Sequence, residues 1–494
     1  MSSGNKYKAI ANKLKFEGRA FINGKYVNAI DGKKFETINP ATGEKLSLVA
    51  KCNHKDVDLA VKVSRKAFNS GVWSRSSPEH RKEVLLKFAE LLRKHGDENS
   101  VLESIDTGKL ITDCINEVAN DAPMHFQWYG ELIDKVFGKV GPTEPSITSL
   151  IVKEPIGVVA GIVPWNFPLM MAVWKMAPAL AAGCSVIIKP AEDTPLTAIR
   201  VAKIAQEAGI PDGVLNVLPG YGDVGEALGR HKDVDAVSFT GSTEVGGYFL
   251  KYSSESNLKP VALEMGGKSP FIVLEDAKIN DDLIDNAINS AFWNGGQNCS
   301  ANMRQIVHKK VKDEFLDKVI KKVKKLKVGD PLDLKSNMGS MISKGHLQTV
   351  DGYIQKGIDE GAKLIAGGTG KPKGFEKGYY VKPTVFADVN NQMEIARTEI
   401  FGPVLSIIPF ENEEEAISIA NDTPYGLTNY IQTQDKEKVK RVARKLRSGM
   451  VDVNGVGIAV ASPFGGYKHS GIGREAGTEG LIEFLEVKTV GGWN

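Results

Sequence analysis

The sequence predicts an α/β protein made of two lobes, each built on a parallel sheet, and a small β arm. Three observations carry this. Short apolar runs alternate with stretches of helical spacing through the middle of the chain. The alternation starts afresh beyond a seam near 260–267, and two β-prone segments far apart belong to neither series.

In the first series, 156–163, 185–189, 213–218 and 236–239 are apolar runs of strand length. Between them, 196–208 and 223–229 carry helical spacing. A single helix crossing between consecutive strands makes those strands parallel. The second series has strands at 270–274, 304–308 and 404–409, with helices at 281–294, 312–326, 413–420 and 436–447. Around 311–327 the chain is dense in lysine, but Phe315, Val319, Val323 and Leu326 share one face, so the lysines form its solvated side. The segment 133–154 contains Gly138, Gly141, Pro142 and Pro145, then alternating Ile147, Ser149 and Ile151, and reads as a protruding hairpin. A short strand at 487–490 also lacks a partner in either lobe. Unpaired strands seek edges, so these two are expected to pair, within one chain or across subunits. The expected division is 1–132 with 155–260, then 261–474, with an arm of 133–154 and 475–494.

Composition narrows the function. Over 494 residues, 42% hydrophobic and 25% charged is the balance of a globular chain. The 63 basic and 60 acidic residues give a net charge of +3, no footprint for nucleic acid or an anionic membrane. Residues 156–174 carry no charge, but Pro164, Asn166 and Pro168 in their middle favour strand, turn and helix over a membrane span. The first residues, Met1 and Ser2 onward, lack the apolar core of a secretion signal, so a cytoplasmic protein is expected. Four scattered cysteines (Cys52, Cys114, Cys184, Cys299) suit neither a disulfide scaffold nor a metal site. Glycine is in excess, 51 of 494, which points to tight turns and close backbone approaches.

Two turns compete for a phosphate-binding role. Gly220-Tyr221-Gly222-Asp223-Val224-Gly225 fits G-x-G-x-x-G between a strand and a helix, yet no acid is well placed about 20 residues on. In the second, the strand ending at Phe239 leads into Thr240-Gly241-Ser242-Thr243-Glu244-Val245-Gly246, which opens a helix with hydroxyls in its first turn. Upstream, Lys189-Pro190-Ala191-Glu192 ends a strand with a cation and a carboxylate able to accept ribose hydroxyls and repel a 2′-phosphate. Singly, each reads equally as an ordinary strand-to-helix turn.

Cys299 stands apart from the other thiols, in the glycine-supported loop Asn294-Gly295-Gly296-Gln297-Asn298-Cys299-Ser300. A thiol reacts as its thiolate and needs a base or a positive dipole nearby. Glu264, in Leu263-Glu264-Met265-Gly266-Gly267-Lys268, is a candidate base or a solvated turn carboxylate. Asn166, in Pro164-Trp165-Asn166-Phe167-Pro168, is a candidate amide donor or a cap for the next helix.

Together with Glu399-Ile400-Phe401-Gly402-Pro403 and Pro463-Phe464-Gly465-Gly466, these motifs stand in an order that resembles the NAD(P)-dependent aldehyde dehydrogenases over nearly the whole chain. The resemblance implies two Rossmann-like lobes, NAD-binding (1–132 and 155–260) and catalytic (261–474), with an oligomerisation arm and a homodimer or homotetramer. It implies that Cys299 attacks a small-molecule aldehyde, that the oxyanion is held by Asn166 and the Cys299 backbone N–H, and that Glu264 activates water to hydrolyse the thioester. Lys175 and Glu475 match a pair the family uses as a proton route. The cofactor is expected to be NAD, with NADP possible. Lys189 and Glu192 would bind its adenine ribose, Glu399 its other ribose, and Phe401 would pack beside the ring. Ile162, Val163, Pro164, Trp165, Phe239, Gly241, Ser242 and Gly246 would line the rest, leaving Gly222 and Gly225 as an adenine-side wall. No metal is expected.

Specificity is expected from Phe167, Met171, Trp174, Asn298, Ser300, Phe464 and the loop 455–461. Asp106-Thr107-Gly108-Lys109 and Phe21-Ile22-Asn23-Gly24 are similar to the branch oxidising ω-aminoaldehydes and γ-glutamyl-aminobutyraldehyde. That branch often holds a cationic amine with an acid or aromatic residue in the loop before Pro463. Gly455-Val456-Gly457-Ile458-Ala459-Val460-Ala461 has neither, which suits a neutral aldehyde at least as well. Two alternatives are a CoA-acylating relative, against which Glu264 stands, and a non-enzymatic descendant, which should lack Cys299 or Asn166.

Overall fold

The computed structural model describes residues 3–457 and 459–492, so the first two residues, Ile458 of the loop before Pro463, and Trp493 and Asn494 at the end of the expected arm lie outside the described residues. Two sheets organise the chain. The first has eight strands in the order Gly471–Ile472, Val261–Met265, Ala236–Gly241, Val158–Ile162, Ser185–Lys189, Leu215–Val217, Ala20–Ile22 and Lys25–Val27. The five central strands are parallel. Val158–Ile162 and Ser185–Lys189 are buried along their whole length, as helices on both faces require.

The second sheet has seven strands, ordered Lys363–Ala366, Thr384–Ala387, Val404–Phe410, Arg304–His308, Pro270–Val273, Thr428–Gln432 and Met450–Val453. All neighbours are parallel except the first pair. The α/β reading therefore holds in both lobes. The helix Lys309–Val323 buries Phe315, Val319 and Val323 and turns its lysines outward, as its spacing predicts.

Some elements escaped the sequence. Ala20–Ile22 and Lys25–Val27 are three-residue strands joined by Asn23 and Gly24, both at positive φ, and extend the first sheet as an antiparallel edge. Three residues carry too little alternation to reveal a strand. The helices His54–Ser70, Pro78–Lys94, Gly96–Thr107 and Ala122–Ile133 belong to the same lobe. There Phe88, Phe126 and Tyr129 pack in one core with Val173 and Leu180 of the helix Pro168–Ala182.

The seam falls slightly later than 260. Val261–Met265 still pairs with the first sheet, and the changeover to the second lies between Met265 and Pro270. Gly471–Ile472 crosses back to pair with Leu263 and Glu264. In the arm, Leu485–Gly491 pairs antiparallel with the full length of Ser149–Pro155, which also pairs with Lys139–Val140. The two orphan strands thus meet within one chain. Residues 475–484 do not join them: the helix Gly477–Ile482 packs on Pro168–Ala182, because Leu481 and Phe484 are apolar and buried there.

Candidate active site

The strand order of the first sheet fixes where a ligand can sit. Val158–Ile162 and Ala236–Gly241 are neighbours, but the chain leaves them toward opposite edges, a topological switch point. A cavity of about 310 Å³ opens there. Pro164, Trp165 and Asn166 line it after one strand, and Thr240, Gly241 and Ser242 after the other. The second lobe closes it with Cys299, Glu399 and Phe401.

The cysteine is placed by a reversal of handedness. Helix Asp281–Phe292 starts at Asn280, whose side chain accepts from the Leu283 N–H at 3.0 Å. It stops where Asn294, Gly295 and Gly296 adopt φ of 48°, 64° and 72°. A Cβ on Gly296 would sit 2.6 Å from the Gly402 carbonyl oxygen, so only glycine fits. Asn294 is held in this conformation by its own amide, which donates to the carbonyls of Asn166 (3.0 Å) and Gln297 (3.3 Å). The Gln297 side chain donates back to Asn294 (3.0 Å) and accepts from the Ile342 N–H (2.9 Å). Asn166 Nδ2 donates one hydrogen to the Gln297 carbonyl at 3.0 Å, and its second hydrogen is available to an oxyanion.

Glu264 lies on Val261–Met265, in register with Thr240 on one side and Gly471 on the other. It is 3% exposed, and its Oε1 has no partner among the described residues. Burial first, then the nearby Glu475 carboxylate, push the Glu264 carboxyl well above the usual carboxylate range, against Lys175 and Arg474. Cys299 is half-buried, and desolvation followed by Glu264 and Glu399 pushes its thiol well above the ordinary value. Both groups are thereby shifted toward their protonated forms. Lys175 Nζ meets Glu475 Oε1 and Thr240 Oγ1, both at 2.6 Å, one strand away from Glu264.

Among the residues expected to hold the cofactor, Glu399 Oε1 accepts from the Gly267 N–H at 3.0 Å. A Cβ on Gly266 would stand 1.7 Å from Glu399 Oε2, so that glycine lets the carboxylate lie against the backbone. Burial pushes the Glu399 carboxyl up to about 7. Phe401, at φ 58°, meets Trp165 edge-on at 5.2 Å, and the His346 ring donates to the Phe401 carbonyl at 2.7 Å. Lys189 and Glu192 pair at 3.2 Å, with Val163 N–H bonded to the Lys189 carbonyl at 3.1 Å. Ser242 caps the helix Thr243–Ser254, accepting from Val245 N–H at 3.3 Å. Phe239 and Ile162 are buried behind this turn, and Gly246 packs against Met265. Gly222 and Gly225 lie apart from the cavity lining: Gly222 opens the helix Gly222–Arg230, and Gly225 faces the Phe249 ring.

Among the residues expected to set specificity, Trp174 and Phe464 pack at 4.9 Å and Phe167 packs on Trp293 at 5.0 Å, all outside the cavity lining. Met171 reaches the cavity itself. The Asn298 side chain accepts from the Ser300 N–H at 3.2 Å, and Tyr430 OH donates to the Ser300 carbonyl at 2.8 Å. Trp293, His346 and His125 are not among the residues the sequence suggests, and Asn294 and Gln297 figure there only within the loop around Cys299. Trp293 had a signal, its place directly before the glycine turn. His346 and His125 had none, since their partners are remote in sequence.

His125 fixes Trp174. The indole N–H can only donate, and it does so to His125 Nε2 at 3.0 Å. Burial lowers the His125 pKa to about 4, which keeps that nitrogen an acceptor at neutral pH. Replacing His125 with leucine takes the acceptor from this half-buried N–H and frees the Trp174 ring to turn. The expected result is a KM for the substrate raised about threefold or more, with kcat little changed in steady-state kinetics.

A model described as the aldehyde dehydrogenase family matches residues 26–490. The chain belongs to the aldehyde dehydrogenase family. Its reaction is the NAD-dependent oxidation of an aldehyde to a carboxylic acid through a catalytic cysteine. This dehydrogenase is 45% identical over 491 residues to an aminoacetaldehyde dehydrogenase of Pseudomonas aeruginosa, covering 99% of this chain and 98% of the relative. It resembles the solved indole-3-acetaldehyde dehydrogenase AldA of P. syringae, a complex with NAD+ and IAA, at 46% identity and a TM-score of 0.97, covering 99% of each chain. It also resembles the solved gamma-glutamyl-gamma-aminobutyraldehyde dehydrogenase of Burkholderia cenocepacia, at 44% identity and a TM-score of 0.96, again covering 99% of each. No helix of the dehydrogenase, among the described residues, is long and apolar enough to cross a membrane.

Proposed function

We propose that Cys299 is the nucleophile of this dehydrogenase, Asn166 its oxyanion donor and Glu264 its general base. The observation that carries the reading is that Cys299, Asn166 and Glu399 border one cavity at the switch point of the first sheet. The donor set there fits NAD: two carboxylates suited to ribose hydroxyls (Glu192 and Glu399), a capped helix start at Ser242, and aromatic edges at Trp165 and Phe401. NAD bound here supplies the acceptor for the hydrogen and electron pair lost by the aldehyde carbon.

The Cys299 thiol loses its proton to solvent, the thiolate sulfur adds to the carbonyl carbon, and the oxygen that gains negative charge is held by Asn166 Nδ2 and the Cys299 backbone N–H. Oxidation leaves a thioester on Cys299. Glu264 takes a proton from water, whose oxygen attacks the thioester and expels the Cys299 sulfur with release of the acid. Lys175, Thr240 and Glu475 give that proton a way out. Lys189 and Glu192 hold the adenine ribose, and Glu399 with Phe401 the nicotinamide end. The lobe built on the first sheet makes the NAD-binding domain, the lobe built on the second the catalytic domain, and the arm of Ser149–Pro155 and Leu485–Gly491 joins subunits into a homodimer or homotetramer. The enzyme works in the cytoplasm, where its four free thiols stay reduced.

The Glu192 carboxylate favours NAD over NADP, because a 2′-phosphate beside it adds like charge. The expected kcat/KM ratio is at least about tenfold, narrowing in Glu192→Ser; equal efficiency with both cofactors in the unmodified enzyme would sink this assignment. The substrate is a neutral aromatic or aliphatic aldehyde. Trp174, Phe464, Phe167 and Trp293 offer apolar ring faces, and the loop before Pro463 offers no acid. A panel of aliphatic, aromatic, ω-amino and betaine aldehydes, ranked by kcat/KM, tests this. Highest efficiency with a cationic amine aldehyde would reverse it.

A further inference from the structure

We propose that Lys109 and Glu103 are positioning residues for the oxyanion amide: a buried Glu103–Lys109–Glu117 cluster holds the turn 166–169 and sets where Asn166 points. The inference rests on the reading of Asn166 as the oxyanion donor. Lys109 belongs to the segment Asp106-Thr107-Gly108-Lys109, which no step of the reaction uses.

Glu103, Lys109 and Glu117 are all at most 4% exposed. Lys109 Nζ donates to Glu103 Oε1 at 3.0 Å and to Glu117. From this anchored position it reaches the turn twice. It stands 3.5 Å from the Asn166 carbonyl oxygen and 4.4 Å from the centre of the Phe167 ring. The other Glu103 oxygen accepts from the Leu169 N–H at 3.1 Å, at the start of the helix Pro168–Ala182. Residues on both sides of Phe167, and its ring, are thus tied to one cluster. Asn294 secures the same Asn166 carbonyl from the cysteine loop. The amide that must meet an oxyanion is therefore set between the thiol's own loop and this cluster.

Three ionisable groups in an apolar interior are costly, and an apolar triplet of similar volume would serve stability as well. A role in geometry gives their presence here a reason. An oxyanion donor works only where it is fixed before the charge develops, and a displacement of about 1 Å from a remote change costs up to about a hundredfold.

The test is a rapid-mixing measurement of the NADH burst, which reports acylation, in a double-mutant cycle. Asn166→Ala alone is expected to slow the burst about a hundredfold. Lys109→Met is expected to slow it about tenfold in the native background and less than about twofold once Asn166 is alanine. NAD affinity by fluorescence titration should stay within about twofold throughout. Should Lys109→Met fail to fold, Lys109→Met with Glu117→Gln removes one cation and one anion together, and Glu103→Gln keeps the volume. Each is read in the same cycle and is expected to lose its effect when Asn166 is alanine. A loss of equal size in both backgrounds overturns the proposal, because the cluster then acts elsewhere. An unchanged burst in Asn166→Ala overturns the oxyanion reading itself, independently of anything Lys109 does.

Discussion

Cys299→Ala is expected to lose aldehyde-dependent NADH formation by at least about four orders of magnitude. Without sulfur no thioester forms, and no neighbouring thiol can take over. Cys52, Cys114 and Cys184 are fully buried, and desolvation pushes each thiol far above its ordinary value. Cys184→Ala therefore serves as a control that keeps full activity. NAD binding, followed by fluorescence, should survive in Cys299→Ala, because none of the proposed ribose-binding groups is touched. Steady-state NADH production by the alanine variant at more than a trace would place the covalent step elsewhere.

Glu264→Gln is expected to separate the two halves of the reaction. One equivalent of NADH per site should form in a burst, followed by turnover slowed by about a hundredfold or more, the usual contribution of a general base. The pH dependence adds a sign. The Glu264 carboxyl is held above the usual carboxylate range by burial and by Glu475, and its ionised form is the base. Steady-state turnover of the unmodified enzyme should rise with pH until this group has titrated. In the glutamine variant that rise should disappear from the steady-state phase, while the burst keeps its own increase with pH, set by the raised Cys299 thiol. A steady-state profile of unaltered shape in the variant would remove Glu264 from the hydrolytic step.

Much of this architecture is legible in the sequence where burial is total. Ser185–Lys189, Leu196–Ala208 and Arg304–His308 lie where apolar runs and helical spacing predict them, because a strand or helix face packed against a core has no latitude in composition. What escapes is what depends on partners remote in the chain. The strand Ala20–Ile22 is too short to alternate and exists because Leu215–Val217 offers it an edge. His125 is an ordinary helix residue until Trp174 stands beside it. Lys109 and Glu103 are two charges near a glycine until the turn at Asn166 folds over them. The chemistry-bearing residues Cys299, Glu264 and Asn166 are visible through the glycines, prolines and amides around them, since a backbone forced into tight turns leaves a mark on composition.

The return of residues 471–475 to the first sheet has a consequence for how the enzyme is made. Gly471 lies against Glu264, Phe464 exchanges backbone hydrogen bonds with Glu475, and Glu475 reaches Lys175 three hundred positions earlier. During synthesis the thiol, the amide donor and the first sheet all emerge long before that segment. A nascent chain released or stalled before residue 475 would carry the nucleophile without the wall that raises and encloses its base. The surroundings of Glu264 are therefore completed only when residues 471–475 have come back to the first sheet, long after the strand that carries it has formed in the chain order.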